Sequence, residues 1–341
     1  MSNLSVNTIT DASGGSTASI NGLTPQASNM AATFNRIING AMTIDQRNAG
    51  AAVTITNTGA LTYTADRWGA YGSAASKFTV QQSTTAPDGF SNSIVATSSS
   101  AYSVGTSEIF KITQMVEGFN SVDLSFGNSS AKTITISFWV RSSLTGTFGG
   151  AVLNSNFNRS YPFSYTIFSS NTWEKKTVTI AGDTTGTWVG STNGIGLQVI
   201  WSLGAGSGIS DIAGSWVSAN KQSATGATSV VGTSGATFYI TGVQLEAGSF
   251  GSSFAHENYG DTLRKCQRYY STGITGAGSR FGDNYYVSNG QHKVTLRATP
   301  TIVMSSGPNG YYLANQDGFV SYTAGGSSGA LYVTYTASAE L

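Results

Sequence analysis

A mainly β protein is predicted by composition, by hydrophobic period and by the spacing of turn residues. Of the 341 residues, 42 are glycine and only 10 % are charged. Glycine and small polar residues disfavour helices, whereas the 39 % apolar fraction, rich in Tyr, Phe and β-branched side chains, suits half-buried strands. Short alternating runs separated by Gly, Ser, Asn and Asp clusters are the pattern of a sandwich or barrel.

Residues 1–23 are polar and turn-rich, and cannot bury enough surface to offset their own ordering, so this segment is expected to be extended and to need a partner. The period then changes in "TPQASNMAATFNRIINGAM". Thr24 is placed as an N-cap with Pro25 at the first helical position; Met30, Phe34, Ile37 and Ile38 follow helical spacing, and Gly40 ends the run. The apolar stripe of Phe34, Ile37 and Ile38 is the expected oligomerisation surface of an amphipathic helix.

From about residue 41 to 258 the reading is all β. In "KTITISFWVRSS", Ile134, Ile136, Phe138 and Val140 face one way, and Thr135, Ser137, Trp139 and Arg141 the other. "GATFYITGVQLEAG" alternates, slips by one residue at Gly242, and resumes at Val243 and Leu245. Such a slip marks a β-bulge that bends a strand along a curved sheet, as a jelly-roll β-sandwich requires. Glu246, directly after it, reads as a solvated or turn-bonding carboxylate, and Asp66-Arg67 in "TADRWG" as a local ion pair beside Trp68. Residues 259–341 read as a short helix, with Cys266 facing inward, and a smaller C-terminal β domain. Asn289-Gly290, Asn309-Gly310 and Asp317-Gly318 are its turn signals, and the chain closes on an alternating strand. The predicted fold is thus a jelly-roll β-sandwich with an N-terminal extended segment and helix and a smaller C-terminal β domain.

Several function classes are disfavoured. Lys plus Arg is 17 against 16 for Asp plus Glu, which gives no basic field for nucleic acid. The single Cys266 excludes an intramolecular disulfide framework, and "MSNLSVNTIT" lacks the basic and apolar regions of a secretory signal, so synthesis in a cytoplasm is expected. No run approaches the roughly 18 apolar residues of a membrane helix. P-loop, dinucleotide, HExxH and GxSxG signatures are missing, and the two histidines, His256 and His292, stand at unrelated places. Catalytic residues and cofactors are therefore expected to be none. Aromatic side chains are the better candidates, because ring faces cover the apolar C–H patches of sugars. Trp216 and Trp188 lie in small-residue loops, where each either pins the loop or faces solvent. Tyr285-Tyr286 and Tyr311-Tyr312 are expected beside turns of the C-terminal domain.

In order along the chain, "RIINGAMTIDQRNAG", "YTADRWGAY", "TISFWVRSSLTGTFG", "NTWEKKTVTIAGDTTGTW", "TFYITGVQLEAGS" and "CQRYY" resemble the carbohydrate-binding-module-like jelly rolls of tailed-bacteriophage tail fibres and other virion appendages. The resemblance covers about residues 35–270, and "LSVNTITDASGGS" is similar to the virion-attachment segment of such fibres. It implies a homotrimeric virion structural protein docked by residues 1–40 on phage tail or adaptor proteins, with the distal C-terminal domain meeting host-surface glycan. A head-attached fibre or decoration protein acting as a spacer is an alternative, and a polysaccharide-degrading tailspike a further one, although no solenoid repeat is found. Related modules often carry a structural calcium ion, so the resemblance allows one here, with ligands that the sequence does not locate.

Overall fold

The computed structural model describes residues 35–56, 59–274, 279–281, 285–304, 310–324 and 334–341. The strands run in order β1 (Val53–Thr54), β2 (Thr62–Tyr63), β3 (Gly69–Gly72), β4 (Phe78–Ser83), β5 (Ser93–Ser98), β6 (Ile109–Glu117) and β7 (Ile134–Ser142). They continue as β8 (Gly146–Leu153), β9 (Ser160–Ile167), β10 (Glu174–Ile180), β11 (Ile195–Ala205), β12 (Ser210–Asp211), β13 (Ser223–Ala224) and β14 (Thr237–Ala247).

Two antiparallel sheets, a front one ordered β1-β4-β5-β14-β7-β10 and a back one ordered β2-β3-β6-β11-β8-β9, form a sandwich. The path β5 to β6 to β7 to β8 changes sheet at every step, as does β9 to β10 to β11, which is the crossover pattern of a jelly roll. Ile134, Ile136, Phe138 and Val140 of β7 are all buried between the sheets. Trp68 and Trp201 lie 5.6 Å apart at its centre, and Phe138 meets Trp201 edge-on. Both edge and tilted contacts satisfy the ring quadrupoles while filling the core.

The slip at Gly242 is a bulge. Thr241 pairs with Trp139, but Gln244 pairs with Ser137, so the front sheet gains one residue on β14. Gly242 has φ +60°, and a Cβ there would stand 2.7 Å from Phe90 Cζ and 3.0 Å from Trp139 Cδ1. Glu246 is buried and accepts hydrogen bonds from the Ser252 amide (2.8 Å), the Ser252 hydroxyl (2.9 Å) and Gln244 Nε2 (3.0 Å). It closes the turn after β14.

The helix expected up to Gly40 does not include residues 35–39; its earlier part and Phe34 lie outside the described residues. Asn39 adopts φ 58°, its Oδ1 accepts from the Ile44 amide, and its Nδ2 donates to the Ile44 and Asp66 carbonyls. Asparagine side chains that bond nearby backbone in this way compete with helix. Ile37 is 3 % exposed within the sandwich core, so its side chain is taken up by its own chain. The Ile38 amide donates to Gln114 Oε1 at 2.8 Å.

Helix α1 (Tyr259–Gln267) leads to β15 (Tyr270–Ile274), β16 (Ser279–Phe281), β17 (Tyr285–Gln291), β18 (Thr301–Met304), β19 (Gly310–Ala314), β20 (Gly318–Ala324) and β21 (Thr334–Ser338). These make two small sheets, β15-β21-β18 and β16-β17-β20-β19. Asn289-Gly290 is not a turn: it lies inside β17, opposite Val320 and Phe319. A side chain at Gly290 would overlap the Phe319 ring, so this glycine serves close packing in a strand. Asp317-Gly318 does close the β19–β20 connection, with Asn315 Oδ1 accepting from both amides.

The C-terminal part is joined to the sandwich by buried charge. Asp66 and Arg67 do not pair with each other: Asp66 accepts from the amide and side chain of Gln46, and Arg67 reaches Glu340. Arg47 binds the other Glu340 oxygen at 2.8 Å. The Arg67 guanidinium lies 3.6 Å from the Tyr269 ring centre, and Arg268 and the Tyr269 hydroxyl both donate to Glu117, at 2.6 Å each. Arg67 and Glu117 are each 1 % exposed, so their charges must be matched within the protein.

Candidate functional site

Trp188 and Trp216, far apart in sequence, come together with ring centres 5.4 Å apart. Phe126 meets both edge-on, and Tyr161 meets Trp216 at 5.2 Å. The Trp216 Nε1–H donates to the Ala181 carbonyl at 2.7 Å, and the Trp188 Nε1–H to Asp183 Oδ2 at 3.1 Å. Burial alone would raise the Asp183 carboxyl; hydrogen bonds from Arg159, Thr185 and Trp188 outweigh it and hold the group below its ordinary value. The cluster therefore pins two long loops to the sandwich, with both indole N–H groups spent inside the chain.

Tyr285 and Tyr286 lie in β17, and Tyr311 and Tyr312 in β19 rather than at a loop tip; their side chains lie outside the described residues. Cys266 is fully buried in α1, and burial pushes its thiol well above the ordinary range. His256 packs against Phe90 and Phe254. Among the described residues no three His, Cys, Asp or Glu side chains are grouped to hold a metal ion.

A cleft of about 720 Å³ lies between the outer face of the back sheet and the C-terminal part. Its floor follows from strand alternation. Phe110, Ile112 and Val116 of β6 enter the core, which turns Lys111, Thr113 and Met115 outward. Tyr71 of β3 pairs with Lys111, and Gln198 of β11 pairs with Met115. The segment after β11 folds back over this face, where β12 and β13 pair, and sets Gln222 Oε1 2.8 Å from Lys111 Nζ. Phe157 overhangs from the β8–β9 turn in the left-handed backbone region, φ 56°, uncommon for a bulky side chain and a sign of local constraint. Thr301, Ser338, Glu340 and Leu341 supply the opposite wall.

Two polar groups on the floor stand out. Lys111 is 5 % exposed and makes no ion pair among the described residues; its ammonium lies 5.8 Å from the ring centres of both Tyr71 and Phe157. Burial pushes its pKa down from 10.5 to about 8. Gln198 is 1 % exposed, and its Oε1 has no hydrogen-bond partner. Its Nε2 donates to Thr113 Oγ1 at 2.9 Å, while the Thr113 hydroxyl proton goes to the Val199 carbonyl at 2.8 Å. A mostly buried cation and two flanking rings thus line one cavity. A cation between two rings has the chemistry to hold a polar ligand that also presents apolar faces. None of Lys111, Gln198, Gln222, Tyr71 or Phe157 stands out in the sequence; the available signal was a lone lysine at an outward position of a strong strand.

No protein-family model matches this chain, and no curated protein matches it in sequence. Among solved structures, tailspike protein 4 of bacteriophage CBA120 aligns over 62 % of this chain at 13 % identity with a TM-score of 0.32; the alignment spans only 21 % of the tailspike chain. A family 4 carbohydrate-binding module aligns over 62 % of this chain and 98 % of its own at 15 % identity and a TM-score of 0.31. The family 11 module of a Clostridium thermocellum cellulosomal cellulase gives 62 %, 100 %, 13 % and 0.28 for the same quantities. These are distant likenesses, and the assignment as a jelly-roll sandwich rests on the order and crossovers of this chain's own strands.

Proposed function

We propose that the protein is a non-catalytic glycan-binding component of a phage virion, and that the cleft above Lys111 is where sugar binds. The observation that carries this reading is the joint presence of Tyr71 and Phe157 beside Lys111, whose ammonium has the neutral Gln222 Oε1 as its hydrogen-bond acceptor, along one open cleft. Rings cover the C–H faces of a pyranose, while Lys111 donates to its oxygens. Placement in a tail fibre or similar appendage is supported by the ordered sequence motifs, and trimeric assembly belongs to that same reading. Relative to recognition by the C-terminal tyrosines alone, this proposal moves the sugar to a wall that the C-terminal part shares with the sandwich.

The test is binding of the full-length protein to a glycan array and to host cells, with Phe157→Ala and Tyr71→Ala as variants. Each ring should contribute about 1 kcal/mol, or roughly a fivefold loss of monovalent affinity, amplified on cells by multivalency. Unchanged adsorption by both folded variants would refute the cleft as the site. Native mass measurement should give a trimer, and incubation with bound polysaccharide should release no reducing ends above a boiled control.

A further inference from the structure

We propose that the glycan taken by this cleft is an acidic one, with a carboxylate, sulfate or phosphate substituent of the sugar seated on Lys111. The inference rests on the glycan-binding reading above and adds the charge of the ligand to it. A lysine on a sheet face usually keeps its ammonium in water or against a carboxylate. Lys111 does neither: it is 5 % exposed, and its one hydrogen-bond acceptor is the neutral Gln222 Oε1. An ammonium has three donors, so two remain for a ligand.

The acidic groups on the cleft wall are already engaged. Glu340 lines it, but one carboxylate oxygen faces Arg67 and the other Arg47. From β3 the neighbour of Lys111 is Tyr71, from β11 Ser202, and from the covering segment Gln222. Among the described residues Lys111 thus has no carboxylate side chain paired with it, in a partly dehydrated site where attraction for an anion is least screened.

The experiment presents the full-length protein with oligosaccharides containing uronic or sialic acid, each beside its carboxyl-reduced neutral counterpart. Sulfated and phosphorylated oligosaccharides are included beside their desulfated and dephosphorylated forms. The expected result is retention on the acidic member of at least one pair, with a loss of about tenfold or more on its neutral counterpart, as a charge-assisted hydrogen bond is exchanged for a neutral one. Which pair responds identifies the anionic substituent. Lys111→Met, checked for a cooperative melting transition, should lose the discrimination, and the comparison with wild-type protein holds even where that variant fails to fold. Equal binding across every pair, or binding to neutral members alone, overturns the acidic-ligand proposal and leaves the sugar site standing. A folded Lys111→Met that still prefers the acidic member also overturns it. No binding to any member overturns both readings.

Discussion

Replacing Lys111 by Met should make the ligand-free protein's stability less dependent on pH, and the size of the change follows from the burial of the ammonium. The folded-state pKa is about 8, against 10.5 for the ordinary group. At about 1.4 kcal/mol per pH unit, the charged folded protein carries a penalty of about 3 kcal/mol. The sign is set by proton uptake. Below about pH 8 both folded and unfolded chains hold the proton, so the penalty is fully present. Between about 8 and 10.5 the unfolded chain still holds it and the folded chain does not, so stability rises with pH by up to about 3 kcal/mol. The substituted methionine would titrate nowhere and would leave Gln222 Oε1 without its lysine donor, a pH-independent cost of roughly 1–2 kcal/mol. Near pH 7 the variant is therefore expected to be about 1–2 kcal/mol more stable than the wild type, an advantage that vanishes and reverses as pH approaches 10.5. Urea unfolding of both proteins at a series of pH values measures this directly, since other titrating groups cancel in the difference. Parallel stability curves from about pH 7 to 10.5 would refute the reasoning, because they would mean that Lys111 is hydrated like a surface lysine.

The bulge glycine gives a second prediction: Gly242→Ala combines a left-handed backbone with a close approach to Phe90 and Trp139, and should lower unfolding free energy by about 2–3 kcal/mol in urea. Glu340→Ala leaves the Arg67 guanidinium, 1 % exposed, without its carboxylate; a loss of about 3–5 kcal/mol is expected, with faster amide exchange in β21 beside the lost contact. Trp216→Ala removes the ring that ties its loop to Ala181, Phe126 and Tyr161, and should cost about 2–4 kcal/mol and open residues 206–222 to limited proteolysis.

The sandwich was legible where a single strand carried its own signal. β7 alternates so regularly that its four inward residues can be read directly, and the slip at Gly242 survives in sequence because a bulge shifts phase within one element. Asn35 to Gly40 misled, because apolar spacing there imitates helix while the decisive bonds are made by the Asn39 side chain to Ile44 and Asp66. Asn289-Gly290 misled for the opposite reason: a turn dipeptide became a strand pair because Phe319 needed the space over Gly290. The cleft was the least legible. Lys111 and Gln222 are 111 residues apart, and nothing local in "SEIFKITQMV" distinguishes a lysine about to be covered from one left in water.

The same long-range closure bears on where recognition is assigned. With docking at the N-terminal end, the sequence favours a distal site made by the C-terminal part alone, and cutting the chain near Gly260 looks like a clean test. The cleft changes the meaning of that cut. Removing residues after Gly260 takes away Thr301, Ser338, Glu340 and Leu341 from its wall, and at the same time exposes Arg67 and Glu117 by deleting Glu340, Arg268 and Tyr269. Loss of adsorption after truncation would therefore follow whether the sugar touched the C-terminal tyrosines or the sandwich floor. Phe157 and Lys111 separate these cases, because both sit on the sandwich and neither contributes to the Arg67–Glu340 or Arg268–Glu117 contacts. Recognition confined to the C-terminal tyrosines predicts wild-type adsorption for both folded variants; a shared cleft predicts that each is impaired with the C-terminal part still docked.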